Sequence, residues 1–203
     1  MTQTHHGTAG IDTVESYLAQ AGQCLHDLDR EMIANAVSRL HECYLSNSVV
    51  YAIGNGGSAS TAQHFVADLA KYATHPKPGF RALDLGSNLA STTAWTNDEG
   101  WDSVYHESLR PWISAGDVLV IFSVNGGSTR SRNLVLAAEQ ARERGATTIA
   151  LVGGDGGILG KVADITIHVP DPGPRFLTPL TESMHMTVHH LVVSALRELI
   201  AET

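Results

Sequence analysis

Three times in this chain an apolar run of about six residues ends in a cluster of glycines, and no other feature narrows the fold as much. Residues 48–53 lead into Gly54-Asn55-Gly56-Gly57-Ser58, residues 117–122 into Ser123-Val124-Asn125-Gly126-Gly127-Ser128, and residues 147–152 into Gly153-Gly154-Asp155-Gly156-Gly157. The first two loops open onto helical periodicity, at residues 59–71 and 129–144, and the third onto one brief helical turn before another apolar run at 164–169. Short apolar runs without polar alternation belong to strands covered on both faces, and strands alternating with helices build a parallel sheet. The pattern predicts an α/β fold. Residues 81–85 are a further strand candidate and 101–112 a helix candidate. Residues 11–44, with apolar side chains at three- and four-residue steps such as Val14, Leu18, Val37 and Leu40, predict a long amphipathic lead-in of one or two helices, and residues 180–200 predict a final helix. The expected organisation is a helical extension over 1–34 and one α/β domain over 35–203, with no internal linker.

Composition mainly excludes. A chain of 203 residues, 43% apolar and 17% charged, is long enough for one sizeable core. Its formal charge of −8 leaves no basic field for a nucleic-acid backbone, whereas a small anion is held by local backbone dipoles regardless of net charge. No apolar run is long enough for a membrane span, and residues 1–10 hold no charged segment followed by an apolar one, so a soluble, cytoplasmic protein without a membrane partner is expected. Cys24 and Cys43 lack CxxC spacing and are read as free thiols rather than a disulfide. The 19 glycines exceed the usual share of about 7%, and nine of them lie in the three loops.

Loops of this kind present free N–H groups and the positive end of a helix to an anion, and glycine permits close approach. Ser123 and Ser128 add hydroxyl donors, with the amides of Gly126 and Gly127 closing the cradle. The plainer alternative is that the glycines serve tight strand-to-helix connections and the serines cap helices. Two such loops at the carboxyl edge of a parallel sheet favour a phosphate site. Neither matches GxGxxG or GxxxxGK[ST], which weighs against dinucleotides and P-loop nucleotides. Separately, His64 and Asp68 stand four apart on one helix, about 40° from each other around its axis, while Glu182, His185, His189 and His190 share the last helix. Two such helices meeting would give histidine and carboxylate ligands suited to Zn²⁺ or another divalent ion rather than Mg²⁺. Taken alone, a His and an Asp at this spacing are more often a surface helix pair than ligands. Trp95 and Trp101 flank Asn97-Asp98, as core aromatics or as pocket walls.

The motifs Gly54-Asn55-Gly56-Gly57-Ser58, Ala62-Gln63-His64-Phe65, Thr96-Asn97-Asp98, Gly116-Asp117-Val118-Leu119 and Gly153-Gly154-Asp155-Gly156-Gly157 occur in this order. In them the sequence resembles the sugar isomerase (SIS) family, and within it the phosphoheptose isomerases. The resemblance implies a three-layer αβα sandwich with a flavodoxin-like sheet, a homotetramer with active sites between subunits, and often zinc. It also implies conversion of sedoheptulose 7-phosphate to D-glycero-D-manno-heptose 7-phosphate by proton transfer between C1 and C2. Carried over by position, the substrate contacts are Asn55, Gly56, Gly57, Ser58, Asn97, Asp98, Ser123, Val124, Asn125, Ser128 and Glu182. The metal set is His64, Asp68, Glu182 and His190, with Asp68 and His190 as the catalytic pair. His190 is chosen over His189 because its five-residue spacing from His185 matches the family. Three departures stand out: Asp68 replaces a glutamate, Glu182 a glutamine, and Ser-Val-Asn-Gly-Gly-Ser a loop richer in hydroxyls. Two rivals follow, a non-catalytic sugar-phosphate- or partner-binding oligomer, since a relative that binds the replication initiator shares these motifs, and an isomerase of another sugar phosphate.

Overall fold

The computed structural model describes residues 6–128 and 130–202, with side chains from residue 10 onward. Thr129, the expected first residue of the second unit's helix, and the first five residues lie outside the described set. Five parallel strands, β1 (Val49–Gly54), β2 (Arg81–Asp84), β3 (Val118–Ser123), β4 (Thr147–Val152) and β5 (Ile165–His168), form one sheet in the order β2-β1-β3-β4-β5. The register pairs Val50 with Val118, Val118 with Thr147, and Ile149 with Ile165. This strand order is the flavodoxin-like one, and its topological switch point lies between β1 and β3. Ligands bind outside the carboxyl ends of the strands at that crevice, which is where the first two glycine-rich loops emerge.

The strands are covered on both faces because successive side chains point opposite ways. Val50, Ala52, Val120, Phe122 and Leu151 pack against Leu40 of α2 (Arg30–Leu45), Phe65 and Leu69 of α3 (Gly57–Ala70), and Val188, Val192 and Leu196 of α8 (Leu177–Glu202). Tyr51, Ile53, Leu119, Ile121 and Ala150 pack against Val104 and Leu109 of α5 (Val104–Leu109), Leu134 and Ala138 of α6 (Arg132–Glu143), and Leu159 of the short α7 (Leu159–Val162). All six residues of β3 are buried, as its unbroken apolar run requires. Each fully buried Leu, Ile or Phe side chain in these layers contributes about 2 kcal/mol by area.

The amino-terminal lead-in is two helices, α1 (His6–His26) and α2, separated at Asp29, whose carboxylate accepts from the N–H groups of Glu31 and Met32. The boundary expected between residues 34 and 35 falls inside α2, whose buried Ile33, Ala36 and Val37 belong to the first core layer on both sides of it. The expected helix at 101–112 is shorter: a 3₁₀ turn at Trp101–Ser103 precedes α5, and Pro111, which has no N–H, lies just beyond. One helix, α4 (Leu89–Glu99), has no buried residue and therefore no apolar period to betray it. Its signal was its ends, where the Asn88 side chain accepts from Ser91 N–H and Gly100 stops the helix with φ 89°. No helix among the described residues is long and apolar enough to cross a membrane.

Candidate active site

A cavity of about 180 Å³ opens at the switch point. Asn55 and Ser58 line it from the first loop and α3, Ser123, Val124 and Asn125 from the second loop, Ser131 and Leu134 from α6, and Thr178 and Glu182 from the start of α8. The amino-terminal ends of three helices thus meet at one space. Neither α3, with Gly56 at its N-cap position (φ 58°), nor α6, with Ser131 there, has a side chain capping it. Both helix ends lie at the cavity, and no lysine or arginine among the described residues lines it. Uncapped helix ends of this kind suit an anion, and the reading of the serines as helix caps does not hold here.

Two glycines mark where these elements touch. A Cβ on Gly57 would stand 2.7 Å from Cδ of Glu182, so the bare backbone leaves room for the Glu182 carboxylate beside the start of α3. A Cβ on Gly126 (φ +55°) would collide with the Gly156 carbonyl. The second and third loops interlock at that point: Leu159 N–H donates to Gly126 O (2.9 Å) and Gly153 N–H to Val124 O (3.1 Å). The third glycine run therefore supports the second loop and does not line the cavity.

Further along the same two helices, α3 and α8 bring imidazoles to one carboxylate. Asp68 Oδ2 lies 2.9 Å from His189 Nε2, 3.5 Å from His64 Nε2 and 3.9 Å from His190 Nε2. Asp68 Oδ1 makes no hydrogen bond among the described residues. The His189 side chain is fully buried, whereas those of His64 and His190 are 46% and 53% exposed. Burial pushes the His189 imidazole down to about 4, opposed by its bond to Asp68. A carboxylate only accepts, so Nε2 of the neutral ring carries the proton and donates it.

Of the sequence-assigned metal set, the structure gathers His64, Asp68 and His190, and it adds His189, with the four donor atoms within 4.8 Å of one another. Nitrogen and oxygen donors in that number suit zinc. Glu182 stands apart, at the anion cavity. Helix geometry accounts for the difference: seven residues rotate a side chain by about −20° and eight by about 80°, so His189 shares the face of Glu182 and points at α3. Among the assigned substrate contacts, Asn55, Ser58, Ser123, Val124, Asn125 and Glu182 line the cavity, and Gly56 and Gly57 join Asn55 to Ser58 without lining it. Ser128 lies instead on a separate cavity with Arg130 and Arg132, its hydroxyl bonded to Asn125 O at 3.2 Å. Asn97 and Asp98 remain exposed on α4, bonded to each other at 2.7 Å. Trp95 packs on the second core layer, and Trp101 is exposed. Ser131 and Thr178 were not singled out by any motif, and His189 was placed on the last helix but passed over in favour of His190.

A model of the SIS domain matches residues 16–153, and the chain belongs to the SIS domain family. It is 41% identical over 196 residues, spanning 95% of this chain and 71% of the relative, to the lincomycin biosynthesis protein LmbN of Streptomyces lincolnensis. It is 36% identical over 160 residues, 79% of this chain and 80% of the relative, to the phosphoheptose isomerase of Citrifermentans bemidjiense. The solved phosphoheptose isomerase GmhA from Neisseria gonorrhoeae superposes with a TM-score of 0.79 at 29% identity, covering 95% of this chain and 98% of that one. Within the family the chain is an isomerase of the phosphoheptose isomerase type.

Proposed function

We propose that the protein interconverts sedoheptulose 7-phosphate and D-glycero-D-manno-heptose 7-phosphate. The observation that carries the reading is a carboxylate held on one oxygen and free on the other, in a histidine cluster whose His64 and His190 lie one substrate length from an anion cavity. Six residues of α3 separate Ser58 from His64 and eight of α8 separate Glu182 from His190, about 9 and 12 Å along the axes at 1.5 Å per residue. An extended seven-carbon chain from C1 to a 7-phosphate spans roughly 10 Å at about 1.3 Å of advance per bond. With the phosphate at the helix ends, C1 and C2 reach the imidazoles of His64 and His190, which stand 3.5 and 3.9 Å from Asp68 Oδ2.

In this reading Asp68 takes a proton from C1 of the ketose, and the C–H electron pair forms the C1=C2 bond of an enediol. The same carboxyl group returns the proton to C2, while His190 delivers a proton to O2 and removes one from O1. His189 holds Asp68 Oδ2 and leaves Oδ1 for the substrate. His64, Asp68 and His190 would hold a zinc ion, which when bound supplies Lewis-acid polarisation of the carbonyl, while His189 keeps its bond to Asp68. Glu182 accepts hydrogen bonds from sugar hydroxyls beside the phosphate. A homotetramer with sites between subunits accords with the exposed Ile11, Val14, Leu18 and Leu25 at helical spacing on α1 and with the unburied α4. The free, buried Cys24 and Cys43 accord with a reducing, cytoplasmic setting.

Similarity to the lincomycin biosynthesis protein favours a second reading, isomerisation of a different sugar phosphate in a specialised pathway. Incubation of the zinc-supplemented protein with sedoheptulose 7-phosphate, followed by NMR, is expected to show the aldose, and Asp68→Asn is expected to lower kcat by about 10²- to 10⁴-fold. Turnover of another ketose phosphate instead would establish the second reading. Ligand binding without turnover of any phosphosugar would establish a binding protein.

A further inference from the structure

Asn133, on the first turn of α6, is fully buried, yet it reaches the cavity through a neighbour. Its amide and that of Asn55 exchange two hydrogen bonds: Asn55 Nδ2 donates to Asn133 Oδ1 and Asn133 Nδ2 donates to Asn55 Oδ1, each at 3.0 Å. Such a ring reads equally well with both amides turned over, because each swap exchanges one donor for one acceptor. A third contact removes the ambiguity. Leu134 N–H, which also faces the Ser131 carbonyl at 3.1 Å, lies 3.0 Å from the same atom of Asn133. Turned over, the amide would set its Nδ2 donor 3.0 Å from this N–H, donor against donor, so that atom is Oδ1, and Asn133 must then present Nδ2 to the oxygen of Asn55. The backbone of α6 therefore dictates which corner of the Asn55 amide is nitrogen.

We propose that Asn133 is a positioning residue that fixes Asn55 as a donor to the phosphorylated ligand. The inference rests on the phosphosugar reading above. An amide has two N–H groups and two oxygen lone pairs. The ring with Asn133 consumes one of each, leaving Asn55 one N–H and one lone pair at separate corners. A phosphate dianion only accepts, so only the N–H corner attracts it, and turning the amide over would offer it a lone pair. Asn133 also ties the first glycine-rich loop to the helix that follows the second, so the two walls of the anion cavity keep one spacing.

The test is a double-mutant cycle of Asn55→Ala and Asn133→Leu, with dissociation constants for sedoheptulose 7-phosphate and inorganic phosphate measured by calorimetry. Each single change is expected to weaken binding roughly tenfold, the scale of one charge-assisted hydrogen bond. The double variant is expected to bind no worse than Asn55→Ala, and Asn133→Leu to raise KM with kcat changed less than about twofold. A further full loss on adding Asn133→Leu to Asn55→Ala, or unchanged affinity in Asn133→Leu, overturns the proposal. Asn133→Ser carries the same expectations if the leucine variant does not fold. The side-chain amide signals of Asn55 give an independent readout in the ligand-free protein: slow solvent exchange in the wild type, lost in Asn133→Leu. If the wild type binds neither probe, the phosphosugar reading fails on its own. Rapid exchange of the Asn55 amide in the wild type overturns the positioning role itself.

Discussion

His185 makes the stability of the fold depend on pH in a way that one substitution isolates. Its ring is fully buried under the sheet, 6.0 Å from the ring of Phe122, and burial pushes the imidazole from 6.5 down to about 4. Above pH 6.5 neither the folded nor the unfolded side chain holds a proton, and stability is independent of pH. Between 6.5 and about 4 only the unfolded chain binds the proton, so stability falls as pH falls, and below about 4 the loss is complete. At about 1.4 kcal/mol per decade the full effect is about 3 kcal/mol, of which about 2 kcal/mol is already lost at pH 5. His189 is shifted in the same direction, so the wild type should lose more than this between pH 7 and 5. The comparison with His185→Phe isolates the one proton, since any packing change weighs equally at both pH values. Urea unfolding at pH 7 and pH 5 should show the variant losing about 2 kcal/mol less than the wild type. An equal loss in both proteins would refute a buried, neutral His185.

Two further outcomes follow from the geometry of α3 and α8. Gly57→Ala puts a methyl group where the Glu182 carboxylate lies, so the Glu182 side chain must turn away; calorimetric titration with sedoheptulose 7-phosphate should show weakened binding, with stability changed by less than about 1 kcal/mol. Chelation and dialysis should lower turnover, and equimolar zinc should restore it. Metal analysis should then show that His64→Ala retains less zinc than the wild type, whereas Glu182→Gln, altered outside the imidazole cluster, retains as much.

Most of the sheet was legible because a strand covered on both faces is a run of apolar residues, as β3 is from Val118 to Phe122 and β4 from Ile149 to Val152. The carboxyl-edge location of the site was legible because glycine clusters where β1 and β3 hand over to helices. What the sequence concealed was decided by contacts between distant segments. Spacing from His185 favoured His190, but the rotation of α8 turns His189 inward onto Asp68 and leaves Glu182 two turns away. The third glycine run has the composition of a ligand loop, and its composition serves instead the close approach of Gly126 to the Gly156 carbonyl. Asn133 carried no signal at all, since its importance lies in a partner 78 positions earlier in the chain.

In the proposed function the phosphate lies against helix ends and loop amides, with the Asn55 side chain beside them. Much of the attraction for an anion is then not the property of any one codon: point substitutions that keep the loop conformations leave every main-chain donor in place. The sugar end, by contrast, depends in that reading on individual side chains such as Asp68 and His190. Selection can rewrite the second while the first stays constant, so a new phosphorylated sugar can be adopted in a few steps without losing the handle by which it is held. A chain with relatives named both for phosphoheptose isomerisation and for antibiotic biosynthesis is what such a division of labour produces.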